Sequence, residues 1–166
     1  MPARTDLDLS DPVAITGTRA FDAPVELVFA AFTDPKHLSQ WWGPNGFTTT
    51  TSHFEFKPGG VWRFVMHGPD GRDYQNRVTF DEIETNKRIA YHHGGGEADL
   101  EPVTFSQTVT FEDLGGGRTR IVWHGVFPNA EMRDFVIKEY GADKGLKETT
   151  ARLAAYIATH GAELAS

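Results

Sequence analysis

Residues 142–160 read ADKGLKETTARLAAYIATH, and this stretch decides the fold. On a 3.6-residue wheel Ala142, Leu146, Thr149, Thr150, Leu153, Tyr156 and Ile157 share one face. Lys144, Lys147, Glu148, Arg152 and Thr159 share the other. Glu148 precedes Arg152 by four residues, the favourable order for an ion pair on an exposed helix face. Gly161 follows as a C-cap candidate. This is a long one-sided helix, and nearly everything between residue 45 and it reads as strand. The apolar stripe carries Ala142, Thr149 and Thr150 where a helix that only filled a core would use more bulk. Space beneath the helix is the expectation.

Before the helix the hydrophobic period is two. Trp62, Phe64 and Met66 alternate with Arg63, Val65 and His67, and Gly68-Pro69-Asp70-Gly71 is a hairpin signal. Tyr74, Asn76, Val78 and Phe80 continue the pattern, as do Tyr91 with His93, then Phe105, Gln107, Val109 and Phe111, then Ile121 and Trp123. Glycine triplets at 94–96 and 115–117 turn the chain between strands. A threonine-rich strand over 47–56 comes first in this series. Successive strands joined by short turns make an antiparallel meander with one apolar and one polar face. Upstream, Val13 to Phe21 reads as a strand, and Asp22-Ala23-Pro24 and Thr33-Asp34-Pro35 each start a short helix. The second of these ends at Trp41-Trp42. Asn129 caps a helix over Met132, Phe135, Val136 and Tyr140, which Gly141 breaks. The expected fold is α+β: a curved antiparallel sheet of about seven strands (one strand, two short helices, a six-strand meander) facing a long C-terminal helix. Residues 1–11 read as a flexible N-terminus, 12–161 as one domain, and 162–166 as a tail.

This order, with Phe32-Thr33-Asp34-Pro35, Trp41-Trp42-Gly43-Pro44, Gly59-Gly60-Val61-Trp62-Arg63-Phe64, Met66-His67-Gly68-Pro69-Asp70-Gly71 and Phe127-Pro128, resembles the START-like (SRPBCC) superfamily. Within it the chain is most similar to the family named after the activator of the heat-shock-protein-90 ATPase. The resemblance covers residues 12–160. It implies a helix-grip: a sheet wrapped around the terminal helix with a cavity between them. It also implies ligand binding of the kind seen for lipids, hormones and polyketides, or a chaperone partner, or a polyketide cyclase-like activity. The eukaryotic co-chaperones carry a further N-terminal domain for which no room is read here, a departure that counts against the chaperone role and leaves it an alternative.

Bulk properties narrow the partners. Sixteen basic against 23 acidic residues give a net charge of −7, which argues against nucleic acid and anionic membrane surfaces. Absence of cysteine removes disulfides and thiolate metal sites and fits a reducing, cytoplasmic setting. No apolar run reaches transmembrane length, so no membrane insertion is expected.

Under the resembled fold the inward parity supplies the candidate cavity: Trp42, Trp62, Phe64, Met66, Tyr74, Asn76, Val78, Tyr91, Phe105, Gln107, Val109 and Trp123, with Leu146, Thr149, Thr150 and Leu153 from the helix. Asn76 and Gln107 need hydrogen-bond partners if buried. They either anchor a ligand in an apolar pocket or bond to one another, to strand ends or to water. The Trp41-Trp42 pair reads as one ring in the core and one half-exposed, or as a cavity mouth. His92 and His93 are neighbours on a strand and point to opposite faces, and His53, His67 and His124 fall on separate strands with solvent-facing parity, so no metal site is expected. The glycine triplets lack the Lys-Ser/Thr that follows a phosphate loop, so no nucleotide cofactor is expected either. Tyr74, Tyr91 and His93 are the only candidates for acid–base work, and no spacing raises them above packing. The reading favoured is binding of an apolar or aromatic small molecule without catalysis. A protein-interaction module partnering a heat-shock-protein-90 homologue and a cofactor-free cyclase- or lyase-like enzyme are the alternatives.

Overall fold

The structure, a computed structural model, describes residues 4–94 and 105–165. Asp34 accepts a hydrogen bond from the Lys36 backbone N–H (2.8 Å) and Pro35 occupies the first turn, so the chain enters a helix where those residues demand it. Asn129 does the same for Met132 (2.8 Å). The elements run β1 (Asp6–Asp8), β2 (Ala14–Phe21), α1 (Val25–Ala30), α2 (Pro35–Trp41), β3 (Thr48–Phe54), β4 (Val61–His67), β5 (Asp73–Glu84), β6 (Arg88–Gly94), β7 (Phe105–Gly115), β8 (Arg118–Val126), α3 (Ala130–Tyr140) and α4 (Ala142–Ala165). Gly141 separates α3 from α4 at φ +60°, a left-handed conformation that closes one helix and re-aims the next.

All eight strands form one antiparallel sheet in the order β1-β2-β8-β7-β6-β5-β4-β3. The meander β3 to β8 is the one its alternation predicts, and β2 returns to pair with β8. Register irregularities at Thr51/His53, Phe80/Glu82 and Asp113/Gly115 bend individual strands and help curl the sheet. The fold is therefore the expected α+β helix-grip, with one strand more than expected. That strand is β1: Asp6, Leu7 and Asp8 pair with Thr18, Gly17 and Thr16, so part of the N-terminus expected to be flexible is a sheet edge. At the other end α4 continues past Gly161, with non-helical backbone angles at His160, so the expected cap and the tail as far as Ala165 are helix instead. The loop expected at 94–96 lies, beyond Gly94, outside the described residues. None of the helices among the described residues is long and apolar enough to cross a membrane.

The main core gathers Val28, Phe29, Phe32, Leu38, Trp41 and Trp42 from the short helices, the inward strand residues, and Leu153, Tyr156, Ile157 and Leu164 of α4. A smaller cluster of Ile15, Phe127 and Val136 sits at the α3 end, with Phe105, Ala142 and Leu146 packed on it. Both rings of the tryptophan pair are buried, Trp41 completely and Trp42 at 9% exposure, rather than one being half-exposed. The Trp41 indole N–H reaches the Ala31 carbonyl (3.1 Å), which resolves the polar end of that ring.

Candidate functional site

The long helix does not lie evenly on the sheet. From Leu153 onward its apolar side chains close on the core. Its first turns, Ala142 to Leu146, instead roof a cavity of about 790 Å³. The floor is Met66 of β4, Tyr74 and Asn76 of β5, His93 of β6, Phe105 and Gln107 of β7, and Trp123 and Gly125 of β8. Ile15, Phe127, Val136 and Tyr140 close the α3 side, and Pro44, Asn45 and Phe47 form the rim.

Two charged residues of α4 hold that rim. Arg152 Nη1 donates to the carbonyls of Gly43 and Pro44, each at 2.9 Å. The Glu148 carboxylate accepts from the Asn45 backbone N–H at 3.1 Å. The expected Glu148–Arg152 ion pair is not what either residue makes: both reach across to the loop after α2. Backbone groups in a turn need partners, and these side chains supply them.

The polar groups of the floor can be oriented from their partners. Gln107 Oε1 accepts from the Tyr91 hydroxyl (2.8 Å) and from the Trp123 indole N–H. An indole N–H can only donate, so the oxygen of Gln107 must face it. Its NH2 therefore points the other way, with no partner among the described residues. Asn76 Nδ2 donates to the Tyr74 carbonyl (2.9 Å), an acceptor only, which turns Oδ1 toward His93 Nε2 at 2.6 Å. His93 thus carries its proton on Nε2. Its Nδ1 holds a lone pair without a partner among the described residues. The ring stacks on Phe105, with centroids 4.9 Å apart.

Desolvation lowers the His93 pKa from 6.5 to about 4, so the neutral form persists at physiological pH. Burial pushes the Tyr91 hydroxyl well above its usual range, which keeps it a donor. The stability consequence has a definite sign. A histidine whose folded pKa lies below its unfolded value contributes fully above pH 6.5 and loses that contribution as pH falls toward 4. In an NMR titration the His93 ring is expected to show a midpoint near 4, and acid destabilisation over that window is expected to be shallower in His93→Phe. A His93 midpoint near 6.5 would contradict this environment.

Of the sixteen sequence candidates, Met66, Tyr74, Asn76, Phe105, Gln107, Trp123 and Leu146 line the cavity. Trp42, Trp62, Phe64, Val78, Tyr91, Val109, Thr149, Thr150 and Leu153 do not; all nine are buried in packed surroundings. The void that Trp42, Trp62, Val78 and Tyr91 border measures about 10 Å³, far too little for an organic ligand. Neither threonine lines the larger cavity. The Thr150 hydroxyl pairs with that of Thr5 and donates to the Leu146 carbonyl (2.9 Å), and Gly17 lets Leu146 approach β2 so closely that a Cβ there would stand 2.8 Å from its Cδ2. The small residues let the helix come down onto the sheet; they do not hold it off.

Gly125, Pro44, Asn45, Val136 and Tyr140 were absent from the sequence candidates. Gly125 had a signal: a glycine breaking the Ile121, Trp123 parity inside a strand marks a bulge or a close approach. It stands opposite Gln107, and a Cβ there would lie 3.7 Å from the Gln107 amide nitrogen. The remaining strand histidines face outward in pairs: His53 with Glu55, His67 with Asp73, His92 with Asp81 and His124 with Thr16. Among the described residues no three potential metal ligands converge.

The sequence profile of the family described as activator of Hsp90 ATPase homolog 1-like protein matches residues 22–158. A protein from Arthrobacter aurescens, solved by NMR, is 28% identical with a TM-score of 0.84, over 93% of this chain and 91% of that one. A crystal structure from Mycobacterium smegmatis is 25% identical with a TM-score of 0.81, over 93% and 96%. An AHSA1 protein from Silicibacter pomeroyi, 21% identical with a TM-score of 0.73 over 89% and 99%, shares the fold. A search of curated proteins finds no match.

Proposed function

We propose, since the chain belongs to the family of activator of Hsp90 ATPase homolog 1-like proteins, that it binds an uncharged apolar or aromatic small molecule between the sheet and the first turns of α4. The observation that carries this is a cavity of about 790 Å³ whose aromatic and aliphatic walls are broken by a few polar groups, among them the Gln107 amide, whose oxygen is held by Tyr91 and Trp123. Pockets of such volume with a few placed polar groups are the usual form of a small-molecule site. Acid–base chemistry is poorly served: His93, with its pKa lowered to about 4, is a weak base at neutral pH, and Tyr91 is spoken for by Gln107.

The test uses the uncharged fluorophore N-phenylnaphthylamine. It is expected to bind saturably, with amide shifts confined to Gln107, Trp123, Gly125, Leu146 and their neighbours. Native mass spectrometry of protein taken from its own host is expected to show a co-purified organic mass. Shifts scattered over the outer sheet face, or no saturation, would remove the proposal.

One surface favours a second reading. Phe135 and Tyr140 of α3 are large, exposed at 41% and 60%, and packed edge-to-face with each other. An exposed aromatic pair suits a protein partner. A bacterial Hsp90 homologue is the one the family name suggests. That reading requires the chain to change the homologue's ATPase rate, and Phe135→Ser to abolish the change.

A further inference from the structure

Gln107 and His93 occupy one face of adjacent strands. Tyr91 pairs with Gln107 and His93 with Phe105, so His93 and Gln107 are diagonal neighbours, with Cα atoms about 7–8 Å apart in such a ladder. Both line the cavity floor. Among the described residues, each has half of its hydrogen-bonding capacity taken up and half left over. Gln107 offers an NH2 donor, because Tyr91 and Trp123 take its oxygen. His93 offers an Nδ1 lone pair, because Asn76 takes its Nε2–H. Nothing covers the amide from the neighbouring strand, since residue 125 is glycine.

From this arrangement we infer that the cavity selects neutral molecules carrying a hydrogen-bond donor directly beside an acceptor, such as a lactam or an enolised dicarbonyl. The ligand carbonyl accepts from the Gln107 NH2, and the ligand N–H or O–H donates to His93 Nδ1. Aromatic surface of Phe105 and Trp123 flanks the ring that bears them. Carboxylates are selected against twice. A neutral imidazole presents a lone pair to them, and among the described residues the lining holds Asp73, Glu139 and Glu148 against Lys144. A site built to satisfy a donor–acceptor pair discriminates strongly against an analogue missing one member, because its own buried group is then left unpaired.

The inference rests on the pocket proposal above, and its test separates the two. Three probes compete against N-phenylnaphthylamine: carbostyril, whose lactam has adjacent N–H and C=O; N-methylcarbostyril, which lacks the donor; and naphthalene, which lacks both. Carbostyril is expected to bind about tenfold or more tighter than N-methylcarbostyril, the factor for one well-placed hydrogen bond. That ratio is expected to fall to about one in His93→Phe, which keeps the ring stack on Phe105. Carbostyril's advantage over naphthalene is expected to shrink similarly in Gln107→Glu, which keeps an oxygen for Tyr91 and Trp123 while exchanging the donor for an acceptor. Equal binding of all three probes would overturn the inference and leave the pocket standing. Discrimination that survives in His93→Phe would mean that the methyl group is merely excluded by size, and would overturn it as well. Failure of every probe to displace a bound fluorophore would overturn the inference and leave the pocket standing, whereas failure of the fluorophore to bind would take down the pocket proposal and this inference with it.

Discussion

Trp42→Ala is expected to lower the free energy of unfolding by about 3–5 kcal/mol, the range for truncating a buried large aromatic side chain. The ring lies between elements that are far apart in sequence. Its centroid is 4.8 Å from that of Trp62, 5.5 Å from Trp41, 5.6 Å from Trp123, 6.1 Å from Phe64 and 6.4 Å from Tyr91. Surrounding residues cannot collapse into the hole, because Trp41 is anchored to the Ala31 carbonyl and Trp62 to the Thr51 hydroxyl (3.0 Å). The loss is thus transfer energy plus cavity energy. Urea unfolding should show a lower midpoint with an unchanged slope. A loss below about 1 kcal/mol would mean that the aromatic cluster is not the centre of the core.

The second large effect concerns the cavity. Gly125→Val is expected to weaken N-phenylnaphthylamine binding by about tenfold or more while leaving the thermal midpoint within a few degrees. The backbone at Gly125 is not in the left-handed region, and the nearest atoms to a new Cβ are at 3.6–3.7 Å, ordinary contact distances. Valine also suits a strand better than glycine. Its methyl groups extend past the Cβ toward the Gln107 amide and into the space a ligand would need. An unaltered affinity in a folded Gly125→Val chain would locate the bound fluorophore elsewhere. Together the two substitutions separate the packed and open ends of the molecule: one should cost stability, the other binding.

That separation also marks where sequence reading stopped. Alternation of Trp62, Phe64 and Met66, of Val78 and Phe80, and of Ile121 and Trp123 correctly assigned the inward face, since a strand's parity is a local property. Caps at Asp34 and Asn129 act within one turn and were equally legible. Edge pairing by residues 6–8 was not, because Asp6-Leu7-Asp8 has no pattern of its own and is ordered by the free edge of β2. Glu148 and Arg152 looked like an exposed pair because helix spacing is all that a sequence displays; the loop over 43–45 that they hold is more than a hundred residues away.

The candidate site divides on the same line. Sequence alone determined that an aromatic, one-sided sheet with Asn76 and Gln107 on its inner face would meet a helix beginning near Ala142, because hydrophobic periodicity is written in each strand and helix separately. It could not decide where along the helix the gap would fall. Thr149 and Thr150 are buried all the same, Thr150 against Thr5 just before the edge strand, and only the assembled fold brings that partner there. Open volume is what remains after every element has contributed its side chains, so it belongs to the tertiary structure. The same holds for the Gln107 NH2 and the His93 Nδ1, which have no partner among the described residues: each is defined by partners on other strands or across a turn, and no local pattern records them.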